Sequence, residues 1–209
     1  MKINHIELLI QRIPELAPCR DSIEETVSAI VGMQRKGGKL LMCGNGGSAA
    51  DCSHIAGELL KGFLKKRTPS EKTVSKLSAG EHLADRAALL QDGVRAISLP
   101  DNCGVLSAFA NDVDPELVYA QLVYAMHGEG DVFLGLSTSG NSKNVLLAAE
   151  AAKALGLYTV ALVGESGGML ASVCDTVIKA PANETYRVQE YHLPIYHAIC
   201  AAVEEELFA

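Results

Sequence analysis

The chain has 209 residues, and its content of 48% hydrophobic and 21% charged residues is that of a globular protein. This length suits one well-buried domain better than two, and the net charge of −7 argues against a nucleic-acid-binding surface. Neither a leader peptide nor an apolar run of roughly 18 residues is found, so we predict one cytoplasmic domain over residues 1–209, with no membrane contact and with reduced cysteines.

Residues 4–36 have apolar side chains at three- and four-residue spacing, which predicts one or two amphipathic helices interrupted at Pro14 and Pro18. We expect this N-terminal helical segment, residues 1–37, to pack outside the sheet or against another subunit. Beyond it, short apolar runs alternate with amphipathic stretches. The predicted elements are strand 39–43, helix 48–64, strand 94–99, helix 103–110, helix 115–127, strand 131–136, helix 142–155, strand 158–163, helix 167–173 and strand 175–179. This alternation predicts a parallel sheet with helices on both faces.

Two segments depart from the alternation. Residues 65–93 are polar with helical patches, and they are interpreted as a long and mobile excursion between the first two strands. Residues 184–207 read as one helix with Pro194 inside it, and a proline there removes one backbone hydrogen bond, so we expect a bent axis.

Two loops rich in glycine and serine follow predicted strands. The first loop is CGNGGS at 43–48, and the second loop is GLSTSGNS at 135–142. Each leads into a predicted helix, where free backbone N–H groups and the helix dipole favour an anion. The second loop also carries more hydroxyl groups than helix capping requires, namely Ser137, Thr138, Ser139 and Ser142. The two loops together predict a phosphate-binding site.

Two pairs of polar residues could stand beside that phosphate. His54 and Glu58 are four residues apart on one predicted helix, and Gln189 and His197 are eight apart on another, so each pair lies on one helix face. Separately, they have ordinary interpretations as a surface ion pair and a core histidine. Together, they are possible zinc ligands, or a carboxylate and an imidazole for an aldose–ketose isomerisation. The residues alone leave these alternatives open.

Asn111 and Asp112 follow an apolar, helix-like run, and on local grounds they could equally be a helix stop followed by a turn. The second loop is not predicted to hold a nucleophilic serine, because no GxSxG motif is present and no histidine lies nearby. Nucleotide binding is also a weak interpretation, since neither loop contains the full GxGxxG or GxxxxGK[ST] motif.

Five stretches closely resemble the sedoheptulose 7-phosphate isomerases, or phosphoheptose isomerases, of the sugar isomerase (SIS) domain class. They occur in order between about residues 36 and 207, as CGNGGSAADCSHIAGEL, the AND at 110–112, GLSTSGNSKNV, GESGGML and RVQEYHLPIYH. The resemblance implies a flavodoxin-like α/β fold, a three-layer αβα sandwich with a five-stranded parallel sheet. It also implies a homotetramer with active sites shared between subunits.

The implied reaction interconverts sedoheptulose 7-phosphate and D-glycero-D-manno-heptose 7-phosphate through an enediol, which supplies heptose for surface polysaccharide. Glu58 would be the base and His197 the partner acid–base. The residues implied to bind substrate are Asn45, Gly46, Gly47, Ser48, Asn111, Asp112, Ser137, Thr138, Ser139, Ser142 and Gln189. One zinc ion per subunit is implied at His54, Glu58, Gln189 and His197. A tight zinc ligand is not a free base, so the two roles of Glu58 compete.

The chain departs from the family pattern after Glu58, where a short arginine-bearing connection is replaced by residues 65–93. Lys61 or Arg67 could replace that arginine. The departure leaves room for an isomerase of another phosphosugar. A rival of another class is the non-catalytic SIS protein that binds the bacterial replication initiator, in which the carboxylate and the late histidine are replaced. Glu58 and His197 are both present here, which favours the enzyme.

Overall fold

The computed structural model describes residues 3–208 and contains one sheet of five parallel strands. The strands are β1 (Leu40–Cys43), β2 (Ala96–Ser98), β3 (Val132–Ser137), β4 (Tyr158–Val163) and β5 (Thr176–Lys179). Their order across the sheet is β2-β1-β3-β4-β5. The parallel sheet predicted from the alternating pattern is therefore confirmed, as is the five-stranded αβα sandwich that the family resemblance implies.

Helices cover both faces of the sheet. They are α1 (His5–Arg12), α2 (Arg20–Arg35), α3 (Gly47–Leu60), α4 (Glu71–Leu77), α5 (Cys103–Asp112), α6 (Val118–Met126), α7 (Lys143–Ala154), α8 (Leu170–Val173) and α9 (Thr185–Leu207). Short 3-10 turns occupy Pro14–Cys19, Ala84–Leu89 and Leu99–Asp101. Among the described residues, none of these helices is both long and apolar enough to cross a bilayer.

The strand order brings the two glycine-serine loops together. The chain leaves β1 for β2 on one side and then returns to place β3 on the other side of β1. Cys43, at the end of β1, is paired with Gly135 of β3, so the loops that follow these strands leave the same edge of the sheet. A reversal of strand order opens a crevice at the carboxyl ends, where ligands of such folds bind.

Alternate residues of β1 face two separate cores, because successive side chains of a strand point to opposite faces. Leu40 and Met42 belong to the larger core, which α1, α2, α3 and α9 cover. Leu41 and Cys43 belong to the smaller core, which α6 and α7 cover. The sheet is thus buried on both faces, which explains why its strands read as continuous apolar runs.

The N-terminal segment forms two helices separated by the turn that holds Pro14 and Pro18, as predicted. Helix α2 packs on one face of the sheet, and packing of this segment against another subunit stays a prediction. Its residues Ile23, Ile30 and Met33 are fully or almost fully buried in the larger core, where they contact the sheet and α9. The apolar spacing predicts a helix, but the surface against which that helix packs depends on contacts between residues distant in sequence.

Other helices occur where the sequence predicted them but differ from the prediction in length or shape. Helix α5 continues to Asp112, so Asn111 and Asp112 lie in its last turn and not after it. The predicted helix 167–173 is reduced to the single turn α8, since Gly167 and Gly168 have positive φ angles of 77° and 56°. Helix α9 is continuous across Pro194.

Residues 65–93 contain α4 and a 3-10 turn, so the predicted helical patches are confirmed. Helix α4 has no buried residue among those described. The start of the segment is anchored, however, because the Arg67 side chain is fully buried. The six cysteines, all within the described residues, are free thiols.

Candidate active site

The first loop turns sharply from β1 into α3. Gly46 has a φ of 55°, a conformation that favours glycine, and α3 begins at the next residue. A Cβ at Gly47 would collide with the side-chain amide of Gln189 on α9. The absence of side chains at 46 and 47 therefore leaves backbone N–H groups open and lets Gln189 approach the start of the helix.

The second loop makes a similar turn from β3 into α7. Gly140 has a φ of 68°, and a Cβ there would overlap the backbone carbonyl of Gly167. The hydroxyl oxygens of Ser137 and Ser142 lie 2.9 Å apart. Ser139 is exposed, and its hydroxyl accepts a hydrogen bond from the backbone N–H of Asn141 at 3.2 Å.

A pair of amide side chains joins the two loops. Asn45 Nδ2 donates to Asn144 Oδ1 at 2.8 Å, and Asn144 Nδ2 donates back to Asn45 Oδ1 at 3.0 Å. Both hydrogen bonds span 99 positions in sequence. The pair fixes the distance between the loops across the crevice beside β1 and β3.

The two loops enclose a cavity of about 330 Å³. Its lining consists of Asn45, Gly46, Gly47, Ser48, Leu136, Ser137, Thr138, Ser142, Thr185 and Gln189. Hydroxyls, amides and the amino ends of α3 and α7 meet there, which is the arrangement expected around a phosphate. The predicted phosphate-binding character of the two loops is therefore compatible with the cavity they form.

Three ionisable side chains meet further along α3 and α9. His54 Nε2 lies 3.4 Å from Glu58 Oε1 on the same helix and 3.4 Å from His197 Nε2 on α9. The two imidazole rings meet edge to face with centroids 4.9 Å apart. The sequence placed these residues in two separate pairs, and the packing of α3 against α9 brings three of them together.

Lys61 completes this group from the end of α3. Its Nζ donates to Glu58 Oε2 at 2.7 Å. This hydrogen bond, together with the positive charge of Lys61, holds the pKa of Glu58 below its usual value. Burial lowers the pKa of His197, and the neighbouring His54 adds to the effect. At neutral pH, Glu58 is therefore a carboxylate and His197 a neutral imidazole.

Tyr196 and Asp51 lie behind His54. The Tyr196 hydroxyl is 3.1 Å from Asp51 Oδ1 and 3.0 Å from His54 Nδ1. Tyr196 is 1% exposed. Burial raises the pKa of Tyr196 and that of Asp51. The contact at Nδ1 fixes the orientation of the His54 imidazole, whose Nε2 faces Glu58 and His197.

The predicted zinc ligands suit an ion by donor type, but two of the four are engaged by other groups. Two imidazoles and a carboxylate are common zinc ligands, and separations of 3.4 Å suit neighbours around one ion. However, residues 3–208 contain no group of three or more His, Cys, Asp or Glu placed to hold a metal. Glu58 is engaged by Lys61, and Gln189 lies against Gly47 in the lining of the cavity between the two loops.

Three of the predicted substrate-binding residues lie outside the lining of the cavity, namely Ser139, Asn111 and Asp112. Asn111 and Asp112 are exposed, and Asn111 Nδ2 donates to Asp112 Oδ1 at 2.8 Å. Their role, like that of Ser139, stays a prediction. The other predicted substrate-binding residues all line the cavity.

Sequence reasoning missed Asn144, Thr185, Asp51 and Tyr196. Asn144 stands two residues after Ser142, and extending the second loop by one turn of helix would have included it. Tyr196 precedes His197 directly, and consecutive helix residues point in different directions, so nothing in their spacing indicated a shared site. Its contact with Asp51 spans 145 positions.

The chain is similar to several known proteins. The family model of the SIS domain matches residues 4–98 and 81–164. The phosphoheptose isomerase of Aneurinibacillus thermoaerophilus is 38% identical over 89% of this chain and 82% of its own length. That of Geobacter sp. strain M21 is 39% identical over 98% of this chain and 92% of its own.

Two solved structures have the same fold. A phosphoheptose isomerase from Francisella tularensis superposes with a TM-score of 0.75 at 28% identity, covering 94% of this chain and 93% of that one. The phosphoheptose isomerase of Neisseria gonorrhoeae gives 0.71 at 29% identity, covering 95% of this chain and 91% of that one. The similarity thus extends over almost the whole length of each protein.

Proposed function

The chain belongs to the phosphoheptose isomerase family of SIS-domain proteins, and we propose that it interconverts sedoheptulose 7-phosphate and D-glycero-D-manno-heptose 7-phosphate. It is a phosphosugar isomerase. The substrate assignment rests on two groups of residues at different positions along α9. Gln189 lines the cavity between the two loops, and His197, further along the helix, lies in the group that contains His54 and Glu58.

The length of this arrangement suits an extended sugar phosphate. Gln189 and His197 are eight residues apart, and at the rise of an α-helix this corresponds to about 12 Å along the axis. A substrate anchored by its phosphate at one end must therefore reach well along the helix to place its carbonyl beside Glu58. An open-chain heptose with its phosphate on the last carbon has this shape.

The groups beside the carbonyl supply the chemistry of an isomerisation. The Glu58 carboxylate removes the proton from C1 of the ketose, next to the C2 carbonyl, and the electrons of the C–H bond form the enediol. His197 moves a proton from the C1 oxygen to the C2 oxygen. Glu58 then returns its proton to C2, which gives the aldose. Atoms and electrons balance without a co-reactant, and both residues return to their starting protonation states.

The test is solvent exchange followed by NMR. Sedoheptulose 7-phosphate is incubated with the purified protein in D₂O, with and without a chelator. We expect deuterium at the carbon next to the carbonyl, together with the appearance of the aldose phosphate. Binding of the sugar phosphate without exchange would contradict the proposal and favour another substrate or a non-catalytic role.

We also propose a homotetramer with active sites shared between subunits. Among the described residues, α5 contributes no fully buried side chain, and Val105 there is exposed. Asn111 and Asp112, at the end of α5, would then reach the sugar bound by a neighbouring copy. Native mass spectrometry should give four copies, and a fully active monomer would contradict this assembly.

We also propose a bound zinc ion, a cytoplasmic location and a role in supplying heptose for surface polysaccharide. One zinc per subunit, bound by His54, Glu58, Gln189 and His197, is supported by the donor types, and its arrangement would require Lys61 to release Glu58. Metal analysis of the purified protein and of His54→Ala would test it. We expect about one zinc per chain, reduced in the variant; a metal-free protein with full activity would contradict it.

A further inference from the structure

The side chain of Asn144 makes three hydrogen bonds at the start of α7. Its Oδ1 accepts from Asn45 Nδ2 at 2.8 Å and from the backbone N–H of Val145 at 3.0 Å. Its Nδ2 donates to Asn45 Oδ1 at 3.0 Å. The Val145 N–H is one of the first N–H groups of α7, which have no carbonyl partner within the helix. Asn144 thus connects the backbone of α7 to the loop that follows β1.

The Val145 N–H decides which way both amides face. Reversal of a carboxamide exchanges its oxygen, which accepts hydrogen bonds, with its NH₂ group, which donates them. Because the Val145 N–H can only donate, the oxygen of Asn144 faces it. Asn45 must then present its NH₂ group to the Asn144 oxygen and its own oxygen to the Asn144 NH₂ group. The orientation of Asn45 is therefore set by the backbone of α7 through Asn144.

Asn45 keeps one free donor in this orientation. An amide nitrogen carries two N–H groups, and the pair with Asn144 uses one of those on Asn45. Asn45 lines the cavity between the two loops, whose described lining has no charged side chain, so an anion there depends on neutral donors. A reversed Asn45 would place an oxygen lone pair where this N–H stands, and that lone pair would repel a phosphate oxygen.

We propose that Asn144 is a positioning residue that turns the free N–H of Asn45 towards the phosphate of the bound sugar phosphate. Asn45 touches the ligand, and Asn144 acts through Asn45 without lining the cavity itself. The proposal rests on the proposed function for the identity of the sugar, but its test needs only the phosphate group.

The first test reads the two N–H groups of Asn45 separately. The NH₂ group of an asparagine gives two proton signals on one nitrogen, and in a ¹H–¹⁵N correlation spectrum the Asn45 pair is identified by its loss in Asn45→Ala. Inorganic phosphate is titrated into the unsubstituted protein. We expect one proton to shift downfield as it bonds to the anion, while the other, already bonded to Asn144, moves little. Two signals that stay unchanged up to the highest phosphate concentration would overturn the proposal.

A double-mutant cycle tests whether Asn144 acts through Asn45. The dissociation constant of inorganic phosphate is measured by ³¹P NMR for the unsubstituted protein, Asn45→Ala, Asn144→Ala and the double variant. Each single substitution should weaken binding about tenfold, the order expected for a hydrogen bond to a charged group. The double variant should bind no more weakly than Asn45→Ala alone, because the effects of two residues that act as one unit do not add.

The matched control for this cycle is Gln11→Ala. It removes an exposed carboxamide of α1 that is bonded to Glu7, so phosphate binding should stay normal. Losses that add in the double variant would show that Asn144 acts independently of Asn45 and would contradict the proposal. Normal phosphate binding by Asn144→Ala would contradict it as well.

Kinetics separate positioning from a general loss of structure. In Asn144→Ala, KM for sedoheptulose 7-phosphate should rise by about the factor seen for phosphate, while kcat stays within about a factor of two, since a contact with the phosphate is held in ground state and transition state alike. A fall in kcat with unchanged KM would oppose the proposal. Phosphate binding that depends on Asn144 in a protein without isomerase activity would refute the proposed function alone. Isomerisation with unresponsive Asn45 signals would refute this inference alone.

Discussion

At the scale of single residues, the neighbours of Glu58 come from the carboxyl-terminal half of α3, from Lys61 just after it and from α9. Lys61 donates to one carboxylate oxygen, and His54 lies beside the other. The lowered pKa keeps Glu58 ionised at neutral pH, so it is ready to accept a proton before substrate binds. The same contacts limit its strength as a base, because a carboxylate that is stabilised by a cation holds a proton less tightly.

Replacing Glu58 with glutamine should separate binding from catalysis. The amide keeps the size of the side chain but cannot take the substrate proton, so we expect kcat to fall by about 10²- to 10⁴-fold. KM should change little, since the phosphate cavity is untouched. Steady-state kinetics would measure both constants, with Glu150→Gln, an exposed residue of α7, as control. Near-normal turnover would remove Glu58 from the role of base.

Replacing Ser142 should change KM and not kcat, in contrast to the replacement of Glu58. Ser142 lines the phosphate cavity and its hydroxyl lies 2.9 Å from that of Ser137. Ser142→Ala removes one donor that holds ground state and transition state alike, so KM should rise about tenfold while kcat stays within about a factor of two. Ser28→Ala, on the exposed face of α2, is the control. An unchanged KM would show that other groups carry the phosphate.

At the scale of elements, the end of α3 is held by a buried ion pair. Arg67 Nη1 donates to the carbonyl of Leu59 at 2.6 Å, and Nη2 donates to that of Glu58 at 3.2 Å. Its Nε donates to Glu204 of α9 at 2.8 Å. The last carbonyls of a helix lack partners within the helix, and here a guanidinium supplies them. The turn that carries Glu58 is therefore fastened to α9.

Glu204 collects hydrogen bonds from the chain that leaves α3. Its carboxylate accepts from the backbone N–H groups of Phe63, Leu64 and Lys65 at 2.8, 2.7 and 3.0 Å. Burial alone would raise its pKa, but these hydrogen bonds and Arg67 outweigh burial and hold the pKa below its usual value. The carboxylate thus stays charged while almost fully enclosed.

Glu204→Gln should reveal how much this fastening contributes. The amide leaves the Arg67 charge buried without its counter-ion, and breaking a buried pair costs about 3–5 kcal/mol of unfolding free energy. Urea unfolding would measure the loss against Glu190→Gln, an exposed position on the same helix. A loss of unfolding free energy below about 1 kcal/mol would mean that the hydrogen bonds from the three backbone N–H groups of residues 63–65, and not the charge of Glu204, hold this segment against α9.

At the scale of the whole molecule, the sequence predicted the sheet and most of the residues that line the cavity between the two loops, because local patterns encode both. Strands and glycine turns are consecutive in the chain, and β1 and β3 carry them to one edge. The pairing of Asn144 with Asn45 and that of Tyr196 with Asp51 could not be predicted, since the partners lie 99 and 145 positions apart. The surface against which α2 packs could not be predicted for the same reason, because an apolar stripe defines the buried face of a helix but not what covers that face.

Acid stability of the whole fold should depend on His192. This side chain is fully buried, and among residues 3–208 neither ring nitrogen has a hydrogen-bond partner of normal geometry. Burial lowers its pKa from 6.5 to about 4, an effect that the backbone of Val163 offsets only in part. Between these values the unfolded chain binds the proton and the folded chain does not, so stability falls as the pH drops from about 6.5 to 4.

The loss over this window should be of the order of 3 kcal/mol. Urea unfolding at pH 7, 6, 5 and 4.5 would measure it. His192→Leu removes the titrating group and should flatten this part of the curve, whatever its effect on stability at pH 7. Parallel curves for the two proteins would show that other groups cause the acid sensitivity.

The described lining of the phosphate cavity contains hydroxyls, amides and backbone groups but no charged side chain. Attraction between full charges weakens as ionic strength rises, whereas short hydrogen bonds from neutral donors are screened far less. Affinity for the sugar phosphate should therefore change little between dilute buffer and high salt, apart from direct competition by sulfate or inorganic phosphate. An anion would be selected here by its tetrahedral shape and not by its charge alone.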